Sequence, residues 1–132
     1  MFGDAGRAAY EREAAAQPGR RPAGVLGGVA DEAYFRAPTT RLADAAGTAY
    51  LYRFDWDPGA VFGACHCMEL PFVFGTEDAW REAPRLNGWP LPNDLAGTVQ
   101  DAWASFVRSG RPGGGWGRHA PGAPAWVLGG GR

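Results

Sequence analysis

The sequence predicts an α/β arrangement that is incomplete on its own. Three observations point there. One stretch, Thr48 to Trp56, is crowded with aromatics and reads as the only clear strand. A histidine-bearing stretch follows it directly. A long segment from Asp94 to Ser109 then carries one apolar stripe at helical spacing. A single strand is not a sheet, and even a two-stranded hairpin is marginal alone.

The chain has 132 residues, enough for one ordinary domain. Its 21 Gly and 11 Pro argue for much loop. Six Trp, four Tyr and seven Phe argue against disorder, because such a composition belongs to a packed core. Every basic residue is Arg, which reads as compositional bias. The net charge of −1 gives no reason to expect nucleic acid or an anionic membrane as partner. No run reaches the roughly eighteen apolar residues of a membrane span. Met1-Phe2-Gly3-Asp4 lacks a basic and then apolar leader, so a cytoplasmic location is the expectation.

In chain order, residues 4–17 are rich in Ala, Arg and Glu. Asp4 can cap them and Pro18-Gly19 stops them, which predicts a helix. Residues 24–46 read as helical material in two pieces, with a restart or kink at Pro38, which has no donor N–H. Phe35, Leu42 and Ala46 fall on one face there. In the strand 48–56, Tyr50, Tyr52, Phe54 and Trp56 share one face. Asp57-Pro58-Gly59 ends it with turn chemistry. Residues 57–76 read as a loop holding His66. Residues 77–92 read as loop with Trp80, Leu86, Trp89 and Leu91, and prolines at 84, 90 and 92. In the helix 94–109, capped by Asn93 or Asp94, Leu95, Val99, Ala102, Trp103 and Phe106 line up. Gly110 and Pro112 end it. A Gly/Pro-rich tail, 110–132, follows.

His66 sits in a dense setting. Gly63-Ala64-Cys65 before it are small and allow close approach. Glu69-Leu70-Pro71-Phe72-Val73-Phe74 after it form an apolar block broken by one carboxylate, and Gly75-Thr76 ends the run. An imidazole titrates near pH 6.5, so it takes and returns protons at neutral pH. Taken alone, such a histidine is more often structural than catalytic.

His66 with Glu69-Leu70-Pro71-Phe72-Val73-Phe74-Gly75 resembles the histidine loop of type B carboxylesterases. These are the α/β-hydrolases that include the para-nitrobenzyl esterases and cholinesterases. Other matches fall in the right order. Asp31, Phe35, Pro38 and Leu42-Ala43 resemble the helix before the family's last strand, and Tyr50-Leu51-Tyr52-Arg53-Phe54 resembles that strand. Asp101-Ala102-Trp103 and Phe106, with Gly110 and Pro112, resemble the C-terminal helix and its exit. Trp126 sits where the family has a Pro-Trp near its end.

The resemblance implies a C-terminal segment of an α/β-hydrolase fold: last sheet strand, histidine loop and flanking helices. It implies carboxylic-ester hydrolysis through an acyl-serine, His66 as general base, small-molecule ester substrates and no cofactor. The nucleophile is missing from the expected place. Ser105 lies mid-helix without the glycines of a G-x-S-x-G elbow, and Ser109 lies at the helix end. The family order is serine, then acid, then histidine. Serine, acid and oxyanion hole are therefore expected upstream, and the chain alone is expected to be inactive and poorly folded. Two alternatives are a non-catalytic binding module and a piece that complements a separate N-terminal portion of the hydrolase domain.

The remaining polar residues have plainer readings. Glu69 is read as a ligand for loop backbone N–H groups rather than as the histidine's orienter. Asp31 is read as a cap and Asp55 as a strand-end charge. Cys65-His66-Cys67 cannot all point at one ion, and His119 lies in the tail, so no metal is expected. Cys65 and Cys67 are too close for good disulfide geometry and are expected as thiols. A Cys67 nucleophile would need its own base. Trp80 or Trp89 could border a substrate pocket.

Overall fold

The computed structural model describes residues 3–59, 63–83 and 91–130, with the side chain of Asn93 outside the description. Phe62, Pro84, Leu86, Trp89 and Pro90 therefore lie outside the described residues. The chain divides into two compact units, residues 1–47 and 48–132.

The first unit is helical. Helix α1 spans Gly3–Ala16 and α2 spans Pro22–Asp31. Pro22 opens α2 at a position whose N–H would be unpaired anyway. The turn between them is closed by polar side chains. Gln17 Nε2 donates to Glu13 Oε1, Arg20 Nη1 donates to Gln17 Oε1 at 2.7 Å, and Arg20 pairs with Glu13 at 3.7 Å. Gly28 leaves room for this clasp, since a Cβ there would lie 3.1 Å from Glu13 Oε1. Val25 and Val29 are buried.

The expected break at Pro38 takes a different form. The helix runs on from α2 through one π turn, Glu32–Arg36, into α3, Ala37–Ala46. Proline cannot donate, and its ring collides with the carbonyl four residues back. The π turn immediately before it shifts the ladder, with the Ala37 N–H reaching Glu32 O. Gly47 stops α3 in the left-handed region, φ 66°. Of this helix only Ala43 is buried among the described residues; Phe35, Leu42 and Ala46 all face out.

The second unit holds a two-stranded parallel sheet, β1 Tyr52–Phe54 and β2 Trp126–Leu128. This corrects two expectations. The strand is three residues, not 48–56, and the tail is not merely loop. The register pairs Tyr52 with Trp126, Arg53 with Val127 and Phe54 with Leu128. The stretch before β1 is still held by the tail, through His119 N–H to Ala49 O at 2.8 Å and Trp126 N–H to Leu51 O at 2.9 Å. Between those anchors the tail turns at Ala120-Pro121-Gly122-Ala123, so no continuous ladder forms. Two prolines there have no N–H to give. One edge of the strand is thus paired, so the strand does not stand alone as the sequence suggested.

The alternation along the strand holds. Arg53 is exposed and bonds Asp55, while Tyr52, Phe54 and Trp56 turn inward. Two short helices follow the histidine, α4 Leu70–Phe74 and α5 Glu77–Trp80. Helix α6, Asn93–Ser109, buries Leu95 and Val99, and Gly110 ends it at φ 72° with its N–H on Phe106 O. Pro92 occupies the cap position without a side-chain bond, and Asp94 lies in the first turn, where its charge suits the helix dipole. The core cluster is Trp56, Met68, Phe72, Leu95, Val99 and Leu128. No described helix is long and apolar enough to cross a membrane.

Candidate active site

The residues around His66 form a string of tight turns, then a helix. Gly63 is left-handed at φ 57°, and a Cβ there would press on Asp57 Oδ2 at 3.3 Å. Its carbonyl accepts from Cys65 N–H at 2.9 Å. Cys65 O then accepts from Met68 N–H at 3.2 Å, which puts His66 and Cys67 at the two central positions of a β-turn. Cys67 has φ 68° and is the non-glycine residue in the left-handed region among those described. That conformation costs a side-chain-bearing residue on the order of 1 kcal/mol. Such strain persists only where surrounding packing fixes it, and it clusters at functional sites.

The packing that fixes it comes next. Met68, Pro71 and Phe72 are buried, with Met68 and Phe72 essentially inaccessible. Val73 N–H bonds Glu69 O at 2.9 Å, and Gly75 caps α4 in the left-handed region at φ 63°. The expected loop 57–76 is therefore helical at its end. Pro71 sits in the first turn of that helix, where its missing N–H does no harm. A Cβ on Gly75 would meet Gln100 Nε2 at 3.3 Å, and that amide also bonds Glu77 at 3.4 Å. This ties the end of α4 to α6. His66 itself is exposed, two residues before the buried Met68.

Glu69 departs from its expected role. It stands at the N-cap of α4 without a side-chain cap bond. Its charge acts instead on the Tyr52 hydroxyl, whose pKa is raised, first by burial and then by Glu69. Asp31 is likewise not a cap; it ends α2 and pairs with Arg36 at 4.0 Å. Asp55 is the expected strand-end charge, bonded to Arg53 Nε at 2.6 Å.

Neither serine lies in an elbow. Ser105 Oγ donates to Arg111 O at 2.7 Å and Ser109 Oγ donates to Ser105 O at 2.8 Å, so both serve the C-terminal end of α6. Cys65 and Cys67 are unbridged and half-buried. Among the described residues, no three or more of His, Cys, Asp and Glu gather as a metal site. Trp80 packs against the core cluster rather than standing free at a pocket rim. The Cys67 turn, the Tyr52–Glu69 link and the Gln100 bracket went unread in the sequence. A signal for the first was the turn-forming Gly-Ala before Cys-His-Cys; the other two depend on contacts distant in sequence.

Comparison with known proteins adds the following. The chain is 36% identical over 122 residues to phenmedipham hydrolase of Pseudarthrobacter oxydans, covering 84% of this chain and 24% of that protein. It is 35% identical over 102 residues to a probable N-octanoylanthranilate hydrolase, AqdA2, of Rhodococcus erythropolis, covering 70% and 22%. It is 37% identical over 65 residues to the para-nitrobenzyl esterase of Bacillus subtilis (strain 168), covering 48% and 13%. A solved PNB esterase structure superposes with a TM-score of 0.58 at 29% identity, over 89% of this chain and 24% of that one. No family model matches. The chain spans about a quarter, or less, of the length of the curated relatives it matches.

Proposed function

The chain is a relative of the type B carboxylesterases, aligned with a C-terminal stretch of them, and on that premise we propose that it carries the general base of a carboxylic-ester hydrolase. The base is His66. It takes the proton of a serine hydroxyl as that oxygen attacks the ester carbonyl. It returns the proton to the leaving alkoxide, and water then frees the acyl-serine by the same route in reverse. The serine, the triad acid and the oxyanion-hole donors come from outside these 132 residues. By itself the chain is inactive, and its partner is the rest of the hydrolase domain. Residues 1–132 form one C-terminal portion of that domain, with β1 and β2 as two strands of a larger α/β-hydrolase sheet. No cofactor takes part.

One observation carries this reading. His66 lies at the crown of a strained turn, exposed, while the residues that follow it are locked into the core. That is the construction a general base needs: an accessible imidazole on a fixed backbone.

The experiment is an exchange. The matching stretch of the Bacillus subtilis para-nitrobenzyl esterase is replaced by this chain, and the chimera is assayed on a short-chain aryl ester. His66→Ala is expected to lower kcat by about a thousandfold or more, as loss of a triad member does. An active chimera indifferent to His66→Ala would overturn the assignment.

A further inference from the structure

The segment that carries His66 is anchored at two places. The first is the core, where Met68 and Phe72 are buried and Phe72 is the middle residue of α4. A five-residue helix pegged by one ring is still free to tilt about it. The second anchor lies at the far end of α4. There Gly75 is left-handed, and a Cβ on it would lie 3.3 Å from Gln100 Nε2. The same Nε2 donates to Glu77 Oε1 at 3.4 Å. Gln100 follows the buried Val99 on α6, so its amide is presented from a helix that the core already fixes.

No soft joint separates this bracket from the histidine. Met68 N–H donates to Cys65 O at 3.2 Å, Leu70 N–H to Cys67 O at 3.4 Å and Val73 N–H to Glu69 O at 2.9 Å. Gly75 N–H and Thr76 N–H both donate to Pro71 O. These turns overlap from Cys65 to Thr76, so a tilt of α4 at Gly75 reaches His66 instead of being absorbed on the way. A misplacement of about 1 Å at a reacting group costs on the order of a hundredfold in rate. An amide suits the position. It donates to Glu77 without adding charge, whereas a carboxylate there would face another carboxylate.

We propose that Gln100 is a positioning residue for His66: its amide, held between Gly75 and Glu77, sets the tilt of α4 and so the direction in which the imidazole is presented. Its value to catalysis rests on His66 being the base; the positioning itself does not. In the 132-residue chain, the imidazole Cε1–H resonances of His66 and His119 are followed by NMR, and His66→Ala assigns them. Gln100→Glu is expected to displace or broaden the His66 resonance and to leave that of His119 in place. Gln100→Met, uncharged and similar in length, is expected to do the same, which removes added charge as the cause. Glu77→Gln combined with Gln100→Glu rebuilds the hydrogen bond in the opposite direction and is expected to return the His66 resonance to its wild-type position.

The chimera with the Bacillus subtilis para-nitrobenzyl esterase reads the catalytic consequence. Gln100→Met is expected to lower its kcat about tenfold with KM within about twofold, and the reversed pair to restore kcat to within about threefold. A His66 resonance unmoved in both single variants overturns the proposal, whatever the chimera does. So does a reversed pair that leaves the resonance where Gln100→Glu puts it. A kcat that falls in His66→Ala but not in Gln100→Met overturns the positioning role and leaves the base in place. A chimera indifferent to His66→Ala overturns the base reading alone, and the NMR outcome still decides on Gln100.

Discussion

The rings of Trp56 and Phe72 meet at 5.1 Å between centroids and 75° between planes. Trp56 follows the strand and Phe72 lies in the helix after His66, so this contact closes the chain on both sides of the histidine. Phe54 reaches the same Phe72 ring at 5.4 Å. Phe72 is thus the peg on which the histidine turn hangs. Phe72→Ala should cost about 3–5 kcal/mol, as buried Phe truncations do. Phe74→Ala, at a side chain 70% exposed, should stay within about 0.5 kcal/mol. Urea denaturation followed by circular dichroism separates the two; equal effects would contradict the packing described.

Gly129 gives a second test. It is left-handed at φ 76°, and a Cβ on it would lie 2.6 Å from Trp56 Cβ and 2.9 Å from Trp56 N. Backbone cannot swing aside as a side chain can. Gly129→Ala should therefore lose about 2–3 kcal/mol or more, from strain and overpacking together. Gly47→Ala has a similar φ of 66° with open space around it, and should pay only the conformational part, about 1–2 kcal/mol. Comparable midpoints for the two variants would mean that β2 does not lie against Trp56.

What was legible in the sequence follows from the range of each interaction. The stripe of Leu95 and Val99 and its Gly110 stop are local signals, and α6 appears as expected. The inward face of Tyr52, Phe54 and Trp56 was legible from alternation alone. β2 was not, because Trp126-Val127-Leu128 gains its strand character only by pairing with residues more than seventy positions away. Helix α4 hid behind Pro71, which reads as a breaker but is harmless in a first turn. Phe35 and Leu42 share a face in sequence, yet both are exposed. His66 was legible because its flanks are distinctive; its exposure and the strain at Cys67 came only from the folded backbone.

Tyr52 predicts a pH dependence. Burial, and then the Glu69 charge, raise its pKa above the ordinary value near 10. A phenol whose folded pKa is raised holds its proton more tightly when folded. Its stabilising contribution is therefore complete below about pH 10 and is lost as pH climbs through the folded value. Alkaline stability curves should fall in that window, and Tyr52→Phe should flatten them. Glu69→Gln should bring the tyrosinate absorbance transition of Tyr52 to lower pH. A transition unmoved by Glu69→Gln would show that Glu69 does not act on Tyr52.

The central claim is that His66 is a base whose serine lies outside this stretch. Hydrolysis of a short-chain aryl ester by the purified 132-residue chain tests it most directly, with His66→Ala, Ser105→Ala and Ser109→Ala assayed beside it. The account predicts no hydrolysis above the buffer rate for any of the four. Robust hydrolysis by the wild-type chain, lost in His66→Ala and in either serine variant, would contradict it.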